Sequence, residues 1–257
     1  MTKKERYISN TDYELLTKLY PHEMDKVIEK INNDYPIQYL IGNVDFYNIN
    51  VLVNESVLIP RYETEFLVEK TIKKVKELKL SNPKILELGI GSGCISIALK
   101  KNIPCLIKGV DISNEAVLTA KKNASKNNVD VNFVTKDMLE EDYENYDIII
   151  SNPPYVSLSC PVSKSTIFEP QNAIFAPDEG MYFYQEILKK ISKLNIKPKL
   201  IAFEIGYTQA EDIKTLEDSY CPDFVNRKKY EKESGMTLKE WTEQNEFKGR
   251  YVNYIEL

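Results

Sequence analysis

The sequence predicts an α/β protein built on a doubly wound, mostly parallel sheet, and three observations favour this fold class. From Lys84 onward, short apolar segments alternate with amphipathic helical segments, as they do in parallel sheets covered by helices. A glycine-rich turn at residues 89–93 follows the first apolar segment, and two prolines, Pro153 and Pro154, follow a later one. Turns at the carboxyl ends of parallel strands are where such sheets bind ligands.

The bulk properties are those of a globular protein. Its 257 residues suffice for one large domain, or for one domain with a small appendage. A net charge of −5 weakly disfavours a protein whose main task is gripping nucleic-acid phosphates, although it allows a local basic patch. No run of about 18 apolar residues occurs and no signal peptide is visible, so we expect a cytoplasmic protein without a membrane span.

The cysteine pattern predicts reduced thiols. The four cysteines are scattered, without a C-x-x-C pair: Cys94, Cys105, Cys160 and Cys221. The single histidine, His22, cannot complete a zinc site with them. We therefore expect buried, reduced thiols and no bound metal.

The first 35 residues predict a short N-terminal helical segment. A capping-box pattern at residues 11–14 opens one helix. A second helix carries an apolar stripe formed by Met24, Val27, Ile28 and Ile31. Because so short a segment cannot bury enough surface to fold alone, we expect it to pack on the main domain.

Residues 36–62 predict a β-hairpin that links this segment to the main domain. Residues 46–53 are rich in β-formers, Asn54-Glu55 is a turn signal, and residues 57–59 form a short second strand.

The main domain spans residues 63–257. Glu63 and Glu65 suit the N-terminus of a helix because carboxylates favour the positive end of its dipole, and apolar spacing extends this helix to Leu80. Apolar segments then predict six strands, at residues 85–88, 106–111, 131–134, 147–151, 200–205 and 251–255. Right-handed helical crossovers should connect the parallel ones.

The glycine-rich turn predicts a cofactor loop. Glu87 precedes the segment Gly89-Ile90-Gly91-Ser92-Gly93, which joins the first of these strands to a helix. Glycines let a backbone approach a ligand closely. Their spacing differs from the G-x-G-x-x-G of dinucleotide-binding folds, so a nicotinamide dehydrogenase is the least favoured enzyme class.

Two acidic residues belong to the same predicted rim. Asp111 ends the second strand, next to Ile112, and can accept hydrogen bonds from both hydroxyls of a ribose; alternatively, it caps the helix that follows. Asp137 comes after the third strand and can accept from an adenine amine, with Met138 against the ring; alternatively, it is a loop residue beside a packing methionine. Together these residues describe a pocket for an adenosine.

The segment Asn152-Pro153-Pro154-Tyr155 predicts the catalytic site. It follows a buried strand, and prolines fix their own φ and hold the preceding residue extended. The Asn152 side chain and the Pro153 carbonyl can therefore accept hydrogen bonds from a planar –NH₂ group, with Tyr155 against its flat face. A proline-rich turn is the alternative, but the position at the end of a strand favours a functional role.

These motifs together resemble those of a class I (Rossmann-like) S-adenosylmethionine methyltransferase that methylates a planar nitrogen. The N-P-P-Y segment is shared by adenine-N6 and by protein-glutamine methyltransferases. Residues 38–42 and 57–65 resemble the Q-Y-x-x-G and V-L-I-P-R-P-E-T-E blocks of the HemK/PrmC family, the glutamine methyltransferases of peptide chain release factors. Residues 168–170, 178–180 and 204–209 resemble further blocks of that family.

Three features depart from the family pattern. Tyr62 stands where a second proline is usual, the N-terminal helical part is about half as long as the family's, and residues 223–247 contain an insert with a predicted helix at 238–241.

The resemblance implies S-adenosylmethionine as cofactor and methyl transfer to the side-chain amide nitrogen of the glutamine in a Gly-Gly-Gln loop. It assigns catalysis to Asn152, Pro153, Pro154 and Tyr155. It assigns cofactor binding to Glu87, Gly89, Ile90, Gly91, Ser92, Gly93, Asp111, Ile112, Asp137, Met138 and Asn152. We expect a monomer whose partner is a release factor and which does not bind nucleic acid directly. An adenine-N6 methyltransferase acting on RNA or DNA, and a non-catalytic cofactor-binding scaffold, remain as alternatives.

Overall fold

Helices cover both faces of a central sheet in the computed structural model, which describes residues 6–220 and 250–256. The helices in these residues are α1 Asn10–Leu19, α2 Met24–Asn32, α3 Ile37–Ile41, α4 Tyr62–Glu77, α5 Cys94–Asn102, α6 Asn114–Lys126, α7 Tyr182–Ile191 and α8 Ala210–Tyr220. The strands are β1 Asn43–Phe46, β2 Ile49–Leu52, β3 Lys84–Leu88, β4 Leu106–Asp111, β5 Asn132–Thr135, β6 Ile148–Ser151, β7 Val156–Ser157, β8 Phe175–Ala176, β9 Leu200–Gly206 and β10 Arg250–Glu256.

The central sheet has the order β10-β9-β6-β3-β4-β5. Neighbouring strands run parallel except for β10, which is antiparallel to β9. The predicted doubly wound, mostly parallel sheet is therefore confirmed. The chain moves outward from β3 in one direction and from β6 in the other, so these two adjacent strands form the switch point where a ligand crevice opens.

Two apolar clusters lie on the two faces of the sheet because side chains alternate along a strand. Ile148 and Ile150 belong to a cluster that includes residues of α4, α5 and α6, whereas Ile149, between them, packs with residues of α7 and α8. Strands buried on both faces are apolar throughout. Glu204 is the exception within β9, and it is fully buried.

The N-terminal helical segment packs against Leu40 of α3 through Leu16, Val27 and Ile31, and these residues form a small cluster of their own. The cap of α1 lies two residues before the predicted capping box: the Ser9 hydroxyl accepts from the Asp12 N–H at 3.1 Å. Residues 37–41 form the unpredicted short helix α3, which Gly42 ends in a left-handed conformation, with φ 80°.

The hairpin is present, but its connecting turn is not where the sequence pattern placed it. β1 and β2 pair antiparallel, and the two linking residues, Tyr47 and Asn48, have φ values of 41° and 62°. A left-handed pair matches the twist of the flanking strands. A turn does follow Asn54, but the predicted strand at residues 57–59 is wrong, because these residues form an irregular buried segment against Tyr39.

Two other expectations need correction. The expectation of buried thiols holds for Cys94 and Cys105, but Cys160 is exposed in the turn after β7, while Cys221 lies outside the described residues. Helix α4 ends at Glu77, before the predicted end at Leu80, because Lys79 has a left-handed φ of 51°.

The insert at residues 223–247 and its predicted helix also lie outside the described residues. Within these, no helix combines the length and apolar character needed to cross a membrane.

Candidate active site

The predicted cofactor loop and the N-P-P-Y segment lie side by side at the switch point of the sheet. β3 leads into Gly89 and β6 leads into Asn152. The last residues of the two strands, Leu88 and Ser151, are paired, and the Ser151 hydroxyl donates to the Leu88 carbonyl at 2.6 Å. Two loops far apart in sequence are thereby fastened together.

The three glycines of the loop have different surroundings. Gly89, Gly91 and Gly93 have φ values of 73°, 51° and 78°, a region that L side chains rarely adopt. A Cβ at Gly93 would meet the Ala120 Cβ at 2.9 Å, so this glycine allows close packing of α5 on α6. At Gly89 and Gly91 a Cβ would meet nothing within 4 Å. These two glycines therefore leave open space above the loop.

Glu87 lies beneath this loop and is fully buried. Its Oε2 accepts from the Ser96 backbone N–H at 3.0 Å and from the Ser96 hydroxyl. Its Oε1 is buried without a hydrogen-bond partner among the described residues. Burial raises the pKa of Glu87 to about 8. The site thus contains a buried carboxyl oxygen that a polar group of a ligand can satisfy.

Asp111 lies at the end of β4, directly beside the glycine loop. Its Oδ2 accepts from the Gly91 N–H at 2.8 Å, and its Oδ1 accepts from the Ser113 N–H at 2.9 Å. Burial raises the pKa of Asp111 in spite of these backbone hydrogen bonds. The cap of α6 is Ser113, whose hydroxyl accepts from the Ala116 N–H, so the alternative role of Asp111 as the cap is wrong. Ile112 leaves 63% of its surface exposed at this rim.

Asp137 and Met138 lie at the same edge of the sheet, because the N–H of Lys136 donates to the Asp111 carbonyl at 2.8 Å. Asp137 Oδ1 accepts from the Leu139 N–H at 2.8 Å and so holds its own turn. Met138 packs partly against the core cluster beneath α7. The structure therefore places both predicted adenosine contacts near Asp111.

A buried carboxylate supports the N-P-P-Y segment from within the sheet. Glu204 Oε2 accepts from the Thr64 hydroxyl at 2.7 Å, and its Oε1 accepts from the Tyr155 hydroxyl at 3.2 Å. The Thr64 oxygen in turn accepts from Asn152 Nδ2 at 3.4 Å. Sequence reasoning did not name Glu204 or Thr64 as site residues. An acid in an otherwise apolar strand was a visible signal for Glu204; Thr64 gave none.

The backbone of Tyr155 is held from the other side. Gln209 donates from Nε2 to the Tyr155 carbonyl at 3.0 Å and accepts from the Gly206 N–H at 2.9 Å. Gly180, with φ 86°, packs so closely that a Cβ there would lie 2.0 Å from the Tyr155 oxygen. Two of the three motifs that follow N-P-P-Y in the sequence, at residues 178–180 and 204–209, thus meet at Tyr155.

A cavity of about 440 Å³ opens beside Asn152 and Tyr155. Its wall includes Arg61, whose guanidinium forms a 2.5 Å ion pair with the buried Glu169. Glu169 also accepts from the Ile59 N–H at 3.0 Å. These contacts hold the irregular segment before α4 against the loop that follows N-P-P-Y.

Comparisons with known proteins show which family the chain is related to. The model of the methyltransferase small domain family matches residues 63–167. The release factor glutamine methyltransferase of Flavobacterium psychrophilum is 39% identical over 204 residues, which cover 76% of this chain and 72% of that protein. The chain belongs to the release factor glutamine methyltransferase family. The family member from Streptococcus pneumoniae is 35% identical, over 84% of this chain and 78% of its own length.

Solved structures of other methyltransferases share the fold with this family member. A putative SAM-dependent methyltransferase from Streptococcus mutans aligns with a TM-score of 0.54 and 14% identity, covering 84% of this chain and 55% of that one. The hMettl16 catalytic domain aligns with a TM-score of 0.52 and 17% identity, covering 82% and 76%. The predicted class I methyltransferase type of fold is thereby confirmed.

Proposed function

We propose that this protein transfers a methyl group from S-adenosylmethionine to the side-chain amide nitrogen of the glutamine in the Gly-Gly-Gln loop of a peptide chain release factor. One observation carries the proposal: the N-P-P-Y segment begins beside the glycine loop, where Ser151 bonds to the Leu88 carbonyl, and its Asn152 and Tyr155 line the 440 Å³ cavity. A methyl donor above the loop and an amide in the cavity would meet at Asn152. The printed names of the relatives describe the same activity.

The residues around the glycine loop fit S-adenosylmethionine, which supplies an electrophilic methyl group on a sulfonium sulfur when bound. Each Asp111 oxygen uses one lone pair on a backbone N–H and keeps another for a ribose hydroxyl. Ile112 offers apolar surface to the adenine, and Asp137 an acceptor to its amine. Glu87 Oε1 is buried and without a partner among the described residues, and the ammonium end of the cofactor would occupy it by favouring the ionised form of Glu87.

Asn152 and Pro153 would position the nucleophile. An amide nitrogen is weakly nucleophilic because its lone pair is delocalised, so correct placement has to provide much of the rate. Asn152 Oδ1 and the Pro153 carbonyl can each accept one N–H of the substrate amide. These acceptors also stabilise the positive charge that develops on the nitrogen during attack. Tyr155 flanks the amide plane, and the proton leaves to solvent after transfer.

We infer further that the protein acts in the cytoplasm as a monomer and without direct contact to nucleic acid. The net charge of −5 supports a protein substrate rather than a phosphate backbone.

Incubation with methyl-labelled S-adenosylmethionine tests the proposed substrate. Parallel reactions contain a purified release factor, the same factor with alanine in place of the loop glutamine, or total RNA. Label should enter the unaltered factor only. Label in RNA would support an adenine-N6 methyltransferase, and label in the alanine variant would place the methyl group on another residue.

A further inference from the structure

The hydroxyl of Thr64 lies between Glu204 and Asn152 and can donate only once. Its oxygen is 2.7 Å from Glu204 Oε2 and 3.4 Å from Asn152 Nδ2. The Thr64 hydroxyl donates its one proton to Glu204 Oε2. The Thr64 oxygen is then left as an acceptor for Asn152.

This arrangement decides which end of the Asn152 amide faces a substrate. The oxygen and the –NH₂ group of an amide have nearly the same shape, so packing alone barely distinguishes the two orientations. With Nδ2 directed to Thr64, Oδ1 is the end that remains for a ligand in the adjoining cavity. The reverse orientation would place an N–H of Asn152 against an N–H of the substrate.

We propose that Glu204 is a positioning residue that selects, through Thr64, the amide orientation of Asn152 that accepts a hydrogen bond from a substrate –NH₂ group. The inference rests on the proposed function, because it takes a planar –NH₂ group as the nucleophile. Glu204 acts without touching the substrate: it is fully buried in β9, and the Thr64 hydroxyl transmits its acceptor character.

The same carboxylate restrains the other end of the N-P-P-Y segment. The Tyr155 hydroxyl donates to Glu204 Oε1 at 3.2 Å. The carboxylate of Glu204 therefore holds Tyr155 directly and Asn152 through Thr64. Burying a carboxylate costs free energy that an apolar residue in β9 would not cost. Orientation of Asn152 and Tyr155 therefore explains an acid at position 204 better than a contribution to the stability of the core does.

Four variants test the relay. Thr64→Val removes the hydroxyl but keeps the shape, and Thr64→Ser keeps the hydroxyl. Glu204→Gln replaces a pure acceptor by a group that can also donate, and the fourth variant combines it with Thr64→Val. Thr71→Val is the matched control, because Thr71 is a buried threonine of the same helix whose hydroxyl, among the described residues, bonds only to the Leu67 carbonyl at 2.7 Å. All are assayed well below their measured melting temperatures.

Single-turnover methylation of a release factor at saturating cofactor is the kinetic measurement. Thr64→Val and Glu204→Gln should each lower the rate by about 10- to 100-fold, since positioned hydrogen bonds contribute on this scale. The release-factor KM and the cofactor Kd should stay within about 3-fold, because ground-state binding is retained. Thr64→Ser should recover most of the lost rate. The double variant should be no slower than Glu204→Gln alone, because both changes break one chain of contacts.

Rates equal to those of Thr71→Val, or a double variant whose loss is the product of the single losses, would overturn the proposal. A second measurement needs no substrate: the side-chain amide NMR signals of Asn152, assigned by their loss in Asn152→Ala, should move in Thr64→Val and stay in Thr71→Val. Unmoved signals refute the relay even if the release factor is not the substrate. If the signals move in Thr64→Val but the wild-type protein fails to methylate the release factor, the proposed function alone is refuted.

Discussion

At the scale of single residues, the burial of Glu87 makes a prediction about stability and pH. Its pKa is raised by burial from about 4.5 to about 8 in the folded protein. Between these values the folded state binds one proton more than the unfolded state, so the free energy of unfolding falls as the pH rises. Glu87→Gln mimics the protonated acid and removes this loss. The melting temperature of the variant, relative to wild type, should therefore increase from pH 5 to pH 8.

Glu141→Gln provides the control for that comparison. Burial raises the pKa of Glu141, but hydrogen bonds and ion pairs with Lys108 and Lys136 outweigh it, and the net shift is downward. A lowered pKa alters stability only in acid, below the ordinary range of a glutamate. The Glu141→Gln difference should therefore stay constant from pH 5 to pH 8. A constant difference for Glu87→Gln as well would mean that Glu87 ionises normally.

Substitution of Asn152 separates positioning from cofactor binding. Asn152→Ala should keep cofactor affinity within a few-fold but lower the single-turnover rate by about 100-fold, the value of one positioning bond of about 3 kcal/mol. Asn152→Asp keeps an acceptor oxygen and adds a negative charge near the sulfonium. That charge favours the cationic ground state over a transition state in which charge leaves sulfur, so cofactor binds as well or better while turnover falls. Near wild-type rates in both variants would contradict the catalytic assignment.

The sequence predicted Asn152 as a site residue but did not predict Thr64 and Glu204, which hold it. The prolines after Asn152 are adjacent in sequence, and their effect on its backbone is local. Thr64 and Glu204 act through contacts with residues 88 and 49 positions away. Such contacts depend on the order of strands and on the placement of α4, which no local pattern encodes.

At the scale of elements, the turn before α7 positions Tyr155, because Gly180 in this turn packs against the Tyr155 carbonyl. Gly180 and Gly42 both have left-handed backbones, with φ 86° and 80°. An alanine Cβ would meet nothing within 4 Å at Gly42, but at Gly180 it would lie 2.0 Å from the Tyr155 carbonyl. Both alanine variants share a strain cost of about 1 kcal/mol. Gly180→Ala should additionally displace Tyr155.

Methylation rates of the two glycine variants, measured below their melting temperatures, check this prediction. Gly180→Ala should lose at least about 10-fold in rate, because sub-ångström misplacement of reacting groups is costly. Gly42→Ala should change only the melting temperature. Equal rates for the two would show that the turn does not position Tyr155.

Elements with a clear apolar pattern in the sequence were predictable, whereas a turn that depends on left-handed φ values and a very short helix were not. The central strands lie close to their predicted positions because each is an apolar run between loop residues, and α4 does so because its apolar spacing extends over 16 residues. The hairpin turn was misplaced because Tyr47 adopts a left-handed φ of 41°, for which an aromatic residue gives no signal. The short helix α3 was missed because its five residues are too few to show a period.

At the scale of the whole molecule, cofactor binding should raise the melting temperature, because the proposed site at the switch point between β3 and β6 exists only in the folded protein. A ligand that binds only the folded state stabilises it by about 2.7 kcal/mol at 100 times its Kd. S-adenosylmethionine should therefore raise the melting temperature, whereas NAD at the same concentration should not. Asp111→Ala should weaken this rise. An equal rise with NAD would contradict the choice of cofactor.

The chain of donors and acceptors from Glu204 to Asn152 also has an evolutionary consequence. A hydroxyl at position 64 orients the amide at position 152 only while an acceptor at position 204 takes its proton, although that acceptor also holds the Tyr155 hydroxyl. The three positions are therefore epistatic: loss of any one removes the contribution of the other two to the orientation of this amide. Drift at a neighbouring buried position such as Thr71 is free of this constraint, because its hydroxyl serves only its own helix.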